Sequence, residues 1–139
     1  MSQKIILCRG LPASGKSTWA KAYCDENPEF VRINKDDIRE ELGSSHFGIK
    51  SESTILKVER SRGIEALYSG RSLIVDDTNL NEKHEKFWSK FASDEGIGFE
   101  IKYFDVPVEE CIKRDTQRGK SVGRMVIMGM YNKYIKPIL

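Results

Sequence analysis

A short apolar run that ends on a glycine-rich turn and restarts as a helix constrains this chain more than any other feature. Residues 4–9, KIILCR, are almost continuously apolar, the pattern of a strand buried on both faces. GLPASGKST, residues 10–18, follows at once and satisfies G-x-x-x-x-G-K-[ST] in full. Residues 17–27 carry helix formers up to Asn27-Pro28, where a helix must stop. A strand that feeds a helix through such a loop predicts an α/β chain.

The rest of the sequence repeats that alternation. Residues 30–34 read as a second strand and 35–42 as a short helix. Residues 43–50, GSSHFGIK, read as a loop. Helical spacing returns over 53–69, weakened by Gly63. SLIVDD, 72–77, is the clearest later strand. An amphipathic helix over 81–96 presents Phe87, Trp88 and Phe91 on one side. Residues 99–106 alternate as a strand, 107–119 open with proline and close with glycine as a helix, and the tail over 125–135 is helical. The expected architecture is a parallel sheet of about four strands flanked by helices, with a helical lid. With 139 residues and no repeat or linker, residues 1–139 read as one domain.

The loop has a chemistry of its own. Its glycines let successive backbone N–H groups turn inward around a phosphate chain, and the following helix adds its positive end. Gly10, Leu11, Pro12, Ala13, Ser14, Gly15, Lys16, Ser17 and Thr18 are therefore the candidate nucleotide-binding residues. Lys16 supplies a cation for the β- and γ-phosphates, and Ser17 a hydroxyl for Mg²⁺. ATP or another nucleoside triphosphate is the expected ligand.

Two further groups lie where ligands of an open parallel sheet collect, beyond the carboxyl ends of the strands. In NKDDIR, Asp36 is placed to accept a proton from an attacking hydroxyl. Arg39, three residues on, shares its helical face. A carboxylate beside a guanidinium suggests an acceptor carrying a hydroxyl and an anionic group. The plain alternative is that Asp36 and Asp37 cap the helix. The third strand ends on Asp76 and Asp77, where an acid assists Mg²⁺. Arg114 and Arg118 stand four apart on one helix, as lid arginines over a transferring phosphoryl group or as a solvated basic face.

Composition removes other classes. Twenty-three Lys and Arg against twenty-one Asp and Glu leave a net charge of +2, too little to coat nucleic acid by bulk charge. Cys8, Cys24 and Cys111 have neither disulfide nor zinc spacing. Cys8 reads as a buried small hydrophobe, and His46 and His84 as surface residues. The first residues do not form a secretory signal, and no run is apolar enough for a membrane span. The cytoplasm is the expected compartment.

GLPASGKSTW, INKDDIR, DDTNLN, FDVPVEECIKRDTQRGKSV and MYNKY occur in the order and spacing of phage polynucleotide kinases, which the chain resembles over nearly its whole length. The resemblance is to the kinase module of the T-even kinase-phosphatase type. It implies transfer of the ATP γ-phosphate to the 5′-hydroxyl of DNA or RNA. By that resemblance Asp36 is the general base, Arg39 holds the acceptor's 3′-phosphate, and Thr78 lines the acceptor site. Asp77 is favoured over Asp76 for supporting Ser17 or a metal-bound water, and Arg118 acts on the donor phosphates with Arg114 beside it. Gly123 stands where that family tends to have proline, next to Val122, which would pack on the acceptor base. No D-x-D-G-T motif occurs, so 3′-phosphatase activity is not expected. A small-metabolite or nucleotide kinase of the same fold is the alternative, and a nucleotide-dependent binding protein the third.

Overall fold

The computed structural model describes residues 2–43 and 51–139. His46 and all of the loop expected over 43–50 except Gly43 lie outside the described residues.

Four strands make one parallel sheet, β1 (Lys4–Arg9), β2 (Phe30–Ile33), β3 (Ser72–Val75) and β4 (Gly98–Tyr103), in the order β2-β3-β1-β4. Helices α1 (Lys16–Glu26), α2 (Lys35–Glu41), α3 (Ser51–Tyr68), α4 (Glu82–Glu95), α5 (Val108–Gln117) and α6 (Arg124–Met130) connect and flank it. After α6 the chain widens into a π-helical turn, Tyr131–Ile135, and tightens into a 3-10 turn, Lys136–Ile138.

Side-chain alternation sorts the strands' residues onto two faces. Ile5, Leu7, Ile33, Leu73 and Val75 pack on one side with Leu67, Trp88 and Ala92 from α3 and α4. Ile6, Cys8, Phe30 and Ile74 pack on the other with Ala20 of α1. A third cluster, Leu11, Cys111, Ile112 and Ile127, seats α5 and α6 on the glycine-rich loop. That third cluster positions the lid.

Gly63, expected to weaken α3, is what lets it dock. A Cβ there would lie 2.7 Å from Trp88 Cη2 and 3.0 Å from Leu73 Cδ2, so the bare backbone is needed for helix and sheet to meet. The third strand ends at Val75, two residues earlier than expected, which places Asp76 and Asp77 just beyond the sheet.

Candidate active site

The site is built from the ends of β1, β2 and β3. Gly10 has no room for a side chain, since a Cβ would lie 2.8 Å from Ser14 Oγ and 2.9 Å from Phe104 Cβ. Gly15 adopts φ +96° immediately before α1, with Ala13 also left-handed at φ 64°. This backbone curls the loop into a nest at the positive end of α1. Lys16 Nζ donates to Gly10 O (3.0 Å), Leu11 O (2.6 Å) and Ser14 Oγ (3.3 Å). Burial pushes its ammonium below the usual lysine range, and Asp76 nearby partly restores it.

Two clefts meet at this loop. One, of about 270 Å³, is lined by Ala13, Gly15, Lys16, Ser17, Thr18, Arg114 and Arg118. The other, of about 390 Å³, shares Lys16, Ser17 and Arg118 with it. It adds Pro12, Asp36, Arg39, Glu52, Asp76, Asp77, Thr78, Val122 and Met130, among others. Most residues singled out from the sequence thus gather at one place. Gly10, Leu11 and Ser14 shape the loop from behind: Leu11 and Ser14 are buried, and Leu11 belongs to the lid cluster.

The acid that meets Ser17 is Asp76, a correction to the expectation that favoured Asp77. Ser17 Oγ donates to Asp76 Oδ2 at 2.8 Å. Strand alternation gives the reason. Asp76 continues the face of Ile74, toward α1, whereas Asp77 continues that of Leu73 and Val75, toward α3. Asp77 Oδ1 accepts from the Lys35 N–H at 2.9 Å and the residue adjoins Glu59, which is 2% exposed. Burial and the neighbouring Asp77 hold Glu59 well above the usual carboxylate range. Among the described residues Glu59 Oε2 and Asp77 Oδ2 are both buried without a hydrogen-bond partner.

Asn34, not either aspartate, caps α2: its Oδ1 accepts from Asp37 N at 2.9 Å, and its Nδ2 donates to Asp76 O at 2.6 Å. Asp36 and Asp37 are thereby free for side-chain partners. Arg32, unremarked in the sequence, continues the face of Phe30 and donates to Asp76 Oδ2 (2.7 Å) and Asp37 Oδ2 (2.6 Å). Arg39 pairs with Asp36 through Nη1 and with both carboxylate oxygens of Glu52 through Nε and Nη2.

The lid arginines sit differently from expectation. Helix α5 ends at Gln117, and Arg118 is its extended C-cap (φ −100°, ψ 157°), so the two arginines reach the loop from helix and turn respectively. Arg114 pairs with Glu110. Arg118 donates to Asp115 Oδ1 through Nε at 2.9 Å and Nη2 at 2.8 Å. Asp115 also accepts from Val122 N (3.0 Å) and Gly123 N (2.9 Å). Burial works against this carboxylate, yet the Val122 and Gly123 amides and Arg118 bring it below its ordinary value. One buried acid therefore folds the lid turn and aims Arg118. Gly123 adopts φ +97°, a conformation closed to proline, which explains glycine at this position.

Sequence comparison agrees with this architecture. A family model described as an AAA domain, AAA_33, matches residues 5–137. The chain belongs to the AAA_33 family. An L-seryl-tRNA(Sec) kinase of Methanococcus maripaludis is 30% identical over 140 residues, covering 96% of this chain and 53% of that protein. A bifunctional polynucleotide phosphatase/kinase of Schizosaccharomyces pombe is 28% identical over 110 residues, covering 79% and 21%. This chain thus spans about half of the first relative and a fifth of the second. A chain in the structure of the Pnkp1/Rnl/Hen1 RNA repair complex superposes with a TM-score of 0.78 at 26% identity, covering 99% of this chain and 46% of that one. The AAA_33 domain has the P-loop kinase fold.

A P-loop kinase fold implies a nucleotide and Mg²⁺, and this AAA_33 chain has residues that fit the cation. Ser17 and Asp76 adjoin at the cleft, and Asp76 Oδ1 is buried with no hydrogen-bond partner among the described residues, an acceptor suited to a water of a hydrated ion. Among the described residues no three His, Cys, Asp or Glu side chains cluster as a metal site. A cation held by one hydroxyl, its own waters and the substrate's phosphates needs no such cluster. No helix among the described residues is long and apolar enough to cross a membrane.

Proposed function

We propose that this domain transfers the γ-phosphate of ATP to the 5′-hydroxyl end of DNA or RNA, as a single catalytic unit over residues 1–139 working in the cytoplasm. The observation that carries the reading is the single cleft lined by the loop residues Lys16 and Ser17, by Asp36 with Arg39, and by Arg118. It supplies a phosphate seat, a hydroxyl acceptor and an anion grip within reach of one substrate. The names of the S. pombe relative and of the RNA repair complex favour a polynucleotide acceptor.

In this mechanism the backbone N–H groups of residues 13 and 15–18 and the Lys16 side chain cradle the donor phosphates. Ser17, with Asp76 behind it, would hold a hydrated Mg²⁺, which would supply positive charge to the β- and γ-phosphates. Asp36 aligns the attacking hydroxyl and takes its proton. Arg39 grips the phosphate on the 3′ side of the acceptor nucleotide. Thr78 and Val122 line the acceptor's path. Arg118, aimed by Asp115 and accompanied by Arg114, stabilises charge on the phosphoryl group in flight.

A kinase for a hydroxyl other than a polynucleotide 5′ end is the second reading, favoured by the likeness to the L-seryl-tRNA(Sec) kinase. Transfer of labelled γ-phosphate from Mg·ATP to three acceptors separates them: a 5′-hydroxyl oligonucleotide, a nucleoside 3′-phosphate and a plain nucleoside. Labelling of the first two but not the third is expected. Labelling of the nucleoside alone, or of none, rejects the proposal.

A further inference from the structure

Arg39 presents its fork, Nε and Nη2, to a carboxylate of its own chain. Both oxygens of Glu52 engage it, at 3.0 Å through Nε and in a second, shorter bond through Nη2. A carboxylate and a phosphate satisfy this side of a guanidinium with the same two-oxygen geometry. Both residues line the larger cleft beside Asp36 and Lys16. We propose that Glu52 is a gate on the acceptor seat: its carboxylate occupies the Arg39 fork until an acceptor phosphate displaces it, so only ligands that compete as strong oxyanions gain that grip. The inference rests on the reading of Arg39 as the residue that holds the acceptor's phosphate.

Three observations separate a gate from a structural brace. Helices α2 and α3 are also joined without Glu52, by the Arg62–Glu41 ion pair at 2.7 Å. The Glu52 side chain is 72% exposed and that of Arg39 32%, so solvent reaches and screens the pair and leaves its carboxylate open to exchange for another oxyanion. Glu52 also lies in the first turn of α3, where the helix's positive end stabilises its charge once it leaves the guanidinium. The pair itself draws Glu52 below the ordinary glutamate range, so the blocking carboxylate is charged throughout the physiological range.

The test compares the intact chain with Glu52→Gln, Arg39→Gln and the double variant. It measures binding of adenosine 3′-monophosphate and of plain adenosine by calorimetry, alongside the KM for ATP. Glu52→Gln is expected to tighten the 3′-monophosphate by roughly two- to fivefold, the range of an exposed ion pair. Adenosine binding and the KM for ATP stay unchanged, and the double variant loses the gain. Unchanged or weaker binding of the 3′-monophosphate by Glu52→Gln overturns the gate, as does equal tightening of adenosine. The underlying reading has its own control: Arg39→Gln must weaken the 3′-monophosphate. If it does and Glu52→Gln brings no gain, the gate alone is wrong. If it does not, the phosphate grip and the gate fall together.

Discussion

Asp36 projects from the first turn of α2 with an 84% exposed carboxylate, paired with Arg39 on its own helix. A carboxylate is a weak base toward an alcohol, so its larger contribution to phosphoryl transfer is to aim the hydroxyl, the proton following late in a loose transition state. Asp36→Asn keeps the shape and removes the charge. It is expected to lower kcat by about a hundredfold or more while the Kd for ATP stays within about twofold; turnover near that of the parent would reject the assignment. The spacing that brings Asp36 and Arg39 together was legible because i, i+3 neighbours on a helix share a face whatever the fold. Asp115 was not legible. It stands in KRDTQRGK, a run that reads as solvated, and only the return of the Val122 and Gly123 amides buries it.

The helices and strands were found from periodicity, and their disagreements with expectation lie at ends and contacts. Gly63 is the instructive case. In isolation a helical glycine costs about 1 kcal/mol relative to alanine, which argued against the helix over 53–69. The sheet reverses that preference, because Trp88, Leu73 and Ile33 side chains approach where a Cβ would stand. Gly63→Ala is expected to destabilise by about 1–2 kcal/mol through overpacking. Gly129→Ala, in α6 with nothing within 4 Å of the added atom, is expected to be neutral or stabilising by up to about 1 kcal/mol. Urea denaturation of both variants checks the pair, and a stabilised Gly63→Ala would mean that α3 does not lie this close to the sheet. At the end of β3 the two acids diverge by strand alternation. The motif LIVDD shows that they face opposite ways. Which of them faces the phosphate loop depends on where α1 and α3 lie.

Across the whole molecule, buried ionisable groups set how stability varies with pH. Glu59, neutral in the folded chain because of its burial and the neighbouring Asp77, has a folded pKa above its unfolded one. Its contribution is complete below about pH 4.5 and declines as pH rises through neutrality, because the unfolded chain gives up a proton that the folded chain keeps. His84, half-buried near Lys35 and Arg60 rather than on the open surface, is pushed down to about 4 by burial and those cations. Its contribution is present above about 6.5 and lost as pH falls toward 4. Thermal unfolding is therefore expected to show falling Tm on both sides of mildly acidic pH. Glu59→Gln, which cannot ionise, should flatten the alkaline side and exceed the parent's Tm at pH 8–9; an unchanged slope would place the proton elsewhere. These two groups show where reading a chain by its own order stops. The strand–loop–helix, the alternation of elements, the phosphate chemistry of residues 10–18 and the Asp36–Arg39 pair rest on local spacing, and local spacing survives in any fold. The meeting of Ser17 with Asp76, the burial of Glu59 against Asp77, the Asp115 clamp and the Glu52 carboxylate on Arg39 join residues between 3 and 59 positions apart, most of them on different elements. Those contacts depend on strand order and helix placement, which distant packing selects and no short stretch of sequence encodes.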